Sequence, residues 1–220
     1  MNISQFLELL LWFVPTILTI GTLVGIYHFP TLSGAYKNLF LYLLICLLTD
    51  IVCRIVGSIH GSNLILFIIF SIFEMIFFYY FFQKYLFKKE NIKWKIIVVI
   101  STFYLLLELY FLSEVNPREF QTYSKSLTSL VSLLMTFDYL LIKLKDKTLN
   151  FRIIKFSSVF IIYQGLNLII LLPFNYLINV PSPVKFYFWL FLLIITLIFY
   201  GFIIIEIWKN GMRPKQLQHG

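Results

Sequence analysis

The 220 residues are 60% hydrophobic and 20% aromatic but only 13% charged, with a mean hydropathy of +0.88. These values exclude an ordinary soluble globular domain. The net charge of +8 invites a nucleic-acid reading, but the basic residues sit in the connections between apolar stretches. Membrane topology and anionic lipid account for them there, so nucleic acid is not an expected partner.

Apolar stretches of about 20 residues, the length that crosses a bilayer, recur near 5–28, 38–59, 63–86, 95–113, 124–144, 153–178 and 184–208. They are too long and too uniformly apolar for barrel strands, so the expectation is all-α: one polytopic domain over 1–220 with seven transmembrane helices. The connections are short and leave no room for a soluble catalytic domain.

The leader MNISQ carries no Lys or Arg and the apolar run after it exceeds a signal-peptide core, which predicts a retained span. Pro15, inside that run, should kink it. His28 and His60 fall at span ends and read as solvated caps. In the second span Cys46, Asp50, Cys53, Arg54 and Gly57 share one face. The two cysteines are about 10 Å apart along the axis, too far for a mutual disulfide. Asp50 and Arg54, at i,i+4, can neutralise each other within the helix or take part in ligand or ion handling.

Glu74 interrupts the third span with no basic residue on its own helix. A buried carboxyl there must find a partner elsewhere or take up a proton. Arg54 is the expected interhelical partner, and a neutral Glu74 would tolerate Gln. A structural hydrogen bond and a proton or cation site both remain open. In the fourth span Glu108 shares a face with Ser101, shallow enough to meet water outside. The fifth carries a stripe of Ser129, Ser132 and Thr136, which suits close helix packing. Asp138 points nearly opposite, so two non-lipid faces mark a central helix. The sixth aligns Ser157, Gln164 and Asn175, with Asn167 beside them, as interhelical hydrogen bonds or as the lining of a polar cavity. In the seventh, Glu206 reads as interfacial.

The connection after the third span holds Lys84, Lys88, Lys89, Lys93 and Lys95, and that after the fifth holds Lys143, Lys145, Lys147, Arg152 and Lys155. Lys209, Arg213 and Lys215 of the tail and Lys37 fall on the same side, against Arg118, Lys125 and Lys185 opposite. The positive-inside rule then places the N-terminus outside and the C-terminus in the cytoplasm.

Asp50, Glu74, Gln164 and Asn167 each fall near mid-span. Asp138 lies slightly to the cytoplasmic side, and Arg54 and Glu108 lie outward. Ionisable groups at such depth are expensive and by default mark function, so these seven residues are the site candidates. No Cys/His cluster, nucleophile elbow or Gly-rich phosphate loop accompanies them, so neither an enzyme nor a metal or other cofactor is expected.

In size, topology and its Ile, Phe, Lys, Tyr and Asn bias the chain resembles uncharacterised seven-helix integral membrane proteins of bacteria. That resemblance implies residence in the bacterial cytoplasmic (inner) membrane. It is similar to opsin-like and sugar-exporter-like proteins in helix count, but lacks the lysine of the former near Ile195 and Thr196 and the proline–glutamine pair of the latter. The functional expectation is a membrane binding or signalling module that recognises a small ligand or a membrane-protein partner at the mid-membrane polar site. A proton- or cation-coupled transporter or channel is the alternative.

Overall fold

A computed structural model describes residues 10, 12–87, 91–112, 123–145, 151–174 and 182–212. All regular structure among them is helical: α1 (Phe13–His28), α2 (Gly34–His60), α3 (Leu64–Phe81) with a π-helical turn at Phe82–Phe87, α4 (Ile92–Leu112), α5 (Ser124–Lys145), α6 (Phe151–Phe174) and α7 (Ser182–Gly211). Six of the seven are long and apolar enough to cross a membrane. The exception, α1, has 16 residues, and most of the predicted stretch before it lies outside the described residues. Large apolar side chains are exposed on all seven, among them Ile20, Ile59, Ile69, Phe103, Leu134, Ile169 and Ile198. A lipid-facing surface carries such side chains without penalty. The chain has the make-up of a multi-pass integral membrane protein.

Its contacts group into two units. The first holds the chain up to Arg54 and from Thr196 onward, and the second holds Ile55–Ile195, so α2 and α7 each run through both.

In the first unit α1 approaches its neighbours through GTLVG, a Gly-x-x-x-Gly pair that removes side chains from one strip of helix and lets backbones close up. A Cβ on Gly25 would fall 2.0 Å from the Phe40 ring of α2, and one on Gly21 would fall 2.7 Å from Ile204 of α7. Thr16, Thr19 and Thr22 donate their hydroxyls to the carbonyls of Trp12, Pro15 and Leu18. This is how a hydroxyl is satisfied without water. Pro15 falls in the first turn of α1, where a missing N–H leaves no intrahelical bond unmade. His28 is buried, not the solvated cap expected of a span end. Its ring lies edge-on to Trp208 and occupies the space a Cβ at Gly211 would need. The Ser33 N–H donates to Asn210 Oδ1 at 3.0 Å.

In the second unit Gly61, at φ +70°, supplies the left-handed residue that ends α2. Helix α4 buries Trp94, Val98, Ser101, Leu105 and Glu108, a single stripe at alternating spacings of four and three. Helix α5 buries nine residues from Ser124 to Tyr139, spread over most of its circumference, because it packs against α3, α4 and α6 together. The central position expected from its two polar faces is therefore its place in this unit. Met75 of α3, Val98 and Leu105 of α4, and Val131 of α5 form the apolar core where three of these helices meet.

Candidate functional site

Four contacts fix the register of α3, α5 and α6. The Thr128 hydroxyl of α5 donates to the Ser71 carbonyl of α3 at 3.1 Å. About two turns further along α3, Phe78 packs on Phe160 of α6 with centroids 4.5 Å apart. Phe82, in the π turn, meets both Phe160 and Tyr139 of α5. Leu133 of α5 lies against Gly165 of α6.

At about 100° per residue, Thr128 and Tyr139 mark the face of α5 toward α3, and Leu133 marks its face toward α6. Ser129, Ser132 and Thr136 fall on the arc between. On α6, Phe160 marks the face toward α3 and Gly165 that toward α5, with Ser157 and Gln164 between. Glu74 stands one turn N-terminal to Phe78, and Gln164 one turn C-terminal to Phe160, on the same side of the Phe78–Phe160 contact because α3 and α6 run antiparallel. Ser71 and Glu74 of α3, Ser129 and Ser132 of α5 and Gln164 of α6 thus face one junction, floored by Phe78, Phe82, Phe156 and Phe160 with Tyr139; Ser157 lies about one turn beyond Phe160, on the other side of that floor.

Glu74 is fully buried and forms a salt bridge with Lys125, which is itself 11% exposed. Lys125 is a partner the sequence reading did not propose for it. Lys125 was assigned to the outer connection, yet it is the second residue of α5, where a positive charge opposes the helix dipole. That local misfit was the available signal for an acidic partner. The ammonium also lies 5.2 Å from the centroid of the Phe70 ring, a favourable cation–π position.

Around this pair the hydroxyls divide into two kinds. Ser71 donates to the Phe67 carbonyl at 2.9 Å and Thr136 to the Ser132 carbonyl at 2.7 Å. Ser129, Ser132 and Ser157 are at most 1% exposed, and their Oγ atoms meet no partner. Neither amide atom of the fully buried Gln164 has one, and neither does Asn167 Nδ2. Gln164 and Asn167 therefore lie in the junction without serving as the interhelical hydrogen bonds their stripe permitted. Asn175 lies outside the described residues.

The remaining candidates are placed elsewhere. Asp138 accepts a 2.7 Å hydrogen bond from Trp94 Nε1 of α4. Glu108 is buried rather than water-facing, and its Oε1 accepts the Tyr123 N–H at the start of α5 at 2.9 Å, where a carboxylate complements the helix dipole. These two acids fasten opposite ends of α4 to α5. No sequence pattern linked Trp94 to Asp138, because the pairing spans 44 residues and depends on tertiary register. Asp50 and Arg54 belong to the first unit and form the expected i,i+4 salt bridge at 2.7 Å, with the guanidinium 5.4 Å from the Trp12 ring centroid.

A second feature lies beside the junction. A cleft of about 340 Å³ is lined by Ile100, Ser101 and Tyr104 of α4, Tyr123, by Ser126, Leu127 and Leu130 of α5, and by Leu168 and Leu172 of α6. Among the described residues no group of three or more His, Cys, Asp or Glu comes together as a metal set. Compared with known proteins, the chain matches no family model, no curated protein and no solved structure.

Proposed function

We propose that this chain is a seven-helix membrane protein, N-terminus outside and C-terminus cytoplasmic, that recognises a small ligand at the polar junction of α3, α5 and α6. One observation carries the reading: four buried polar side chains without partners, Ser129, Ser132, Gln164 and Asn167, stand on the same side of the aromatic floor as a buried ion pair. In a membrane interior each unmatched polar group costs several kcal/mol. A helix interface needed only for cohesion reaches it more cheaply with small apolar residues. The amides and hydroxyls of the junction hold a ligand rather than transform one, in keeping with a binding module. Lys93, Lys95, Lys143 and Lys145, on the basic side of the membrane, would carry the response to a membrane partner or to anionic lipid. A bacterial cytoplasmic membrane fits the composition.

Thermal unfolding of the protein in lipid nanodiscs, screened against small polar compounds, tests this. The expected result is a class of compound that raises Tm for the native chain and leaves Gln164→Leu/Asn167→Leu unmoved. A screen that moves neither, or both alike, refutes the junction as the binding site.

The Glu74–Lys125 pair favours one second reading, proton- or cation-coupled transport, since buried ionisable pairs often serve ion pathways. A proton-coupled transporter in proteoliposomes changes lumen pH when its solute is added, and a cation-coupled one takes up its solute only when the cation is present. A binding module does neither.

A further inference from the structure

We infer that the α3–α5–α6 junction takes a small uncharged molecule that both donates and accepts hydrogen bonds. This rests on the reading of the junction as a ligand site and names the class of its occupant. Two features of the site select that class.

The first is charge. Glu74 and Lys125 are closed on each other, so the charge they bring to the junction sums to zero. Asp138 is engaged with Trp94 on the α4 side of α5. An ion entering the junction would lose its hydration and find Glu74 and Lys125 already paired with each other. A neutral molecule avoids that loss.

The second is the inventory of unmatched atoms. The Gln164 and Asn167 amide nitrogens only donate, the Gln164 amide oxygen only accepts, and the hydroxyls of Ser129 and Ser132 do either. A cation would leave the amide N–H groups unmet, and an anion would leave the carbonyl oxygen unmet. Water, a small polyol and a small amide each satisfy both kinds. Ser129 and Ser132 underline the point, because each had an i−4 carbonyl within its own helix, the solution that Ser71, Thr102 and Thr136 adopt. The rings of Phe78, Phe82 and Phe160 close the junction on one side.

Met135 and Met75 provide the readout. Met135 is 1% exposed and within one turn of Ser132, whereas Met75 is equally buried but packs in the apolar core with Val98, Leu105 and Val131. X-ray radiolytic footprinting in ¹⁸O-water oxidises a buried methionine only where water lies against it. The expected result is labelling of Met135 and not of Met75 in nanodiscs, slowed several-fold by Gln164→Leu and by the milder Ser132→Ala.

Glycerol and urea as probes then separate the sources. Protection of Met135 by either marks an organic occupant, and undiminished labelling marks resident water; both support the inference. Protection by tetramethylammonium or acetate, with none from glycerol or urea, overturns the neutral class while leaving the ligand site standing. An unlabelled Met135, or labelling that ignores both substitutions, shows a dry junction and overturns the site and the inference together.

Discussion

At the scale of single residues, Lys125 changes the meaning of Glu74. An unpaired membrane carboxyl is best neutral, and Gln would then replace it quietly. Paired with an ammonium that is 11% exposed, the same substitution strands a buried positive charge, for which losses of about 3–5 kcal/mol are typical. Glu74→Gln should therefore lower Tm markedly in detergent, and Glu74→Gln/Lys125→Met should recover most of the loss. A Glu74→Gln protein that melts with the native chain would disprove the pairing. Sequence reading found the acid because its burial is written in the apolar residues around it. It missed the base because Lys125 sits beside the polar outer connection, where a charge looks solvated.

At the scale of elements, legibility followed periodicity. The spans showed in hydropathy, and the central role of α5 showed in two polar faces on one helix. The strip on α1 was equally present as Gly21 and Gly25 but gave no hydropathy signal, since glycine marks contact by what it lacks. Gly25→Ala tests it. The added methyl must displace the Phe40 ring from 2.0 Å, an overpacking that costs about 1–3 kcal/mol. Unfolding measurements should show a clear drop for Gly25→Ala and a much smaller one for Gly201→Ala, whose Cβ would meet only Ile17 at 3.9 Å. Equal effects would mean that α1 does not approach α2 through this strip. The π turn at Phe82–Phe87 had no sequence signal, because FQKYLF satisfies an α-helix as readily.

At the scale of the whole molecule, the distribution of Lys and Arg predicts a cytoplasmic C-terminus and an outside N-terminus. With Cys46 and Cys53 replaced by serine, a single cysteine at position 209 should react with an impermeant maleimide only after the cells are opened. Labelling of intact cells would reverse the orientation and with it the side from which the junction is reached. Within the second unit, one arrangement limits what any occupant can set in motion. Helix α5 is held to α3 by Lys125, Thr128 and Tyr139 and to α4 by Asp138 and the Tyr123 N–H. These attachments are spread over about 20 Å of axis. A shaft pinned on two sides at several heights cannot be twisted without shearing every pin at once. It behaves as an axle locked to its frame, so a response to binding must travel as tilt of α3, α4 and α5 moving together, or be taken up where the described frame leaves α-helical register, the turn at Phe82–Phe87.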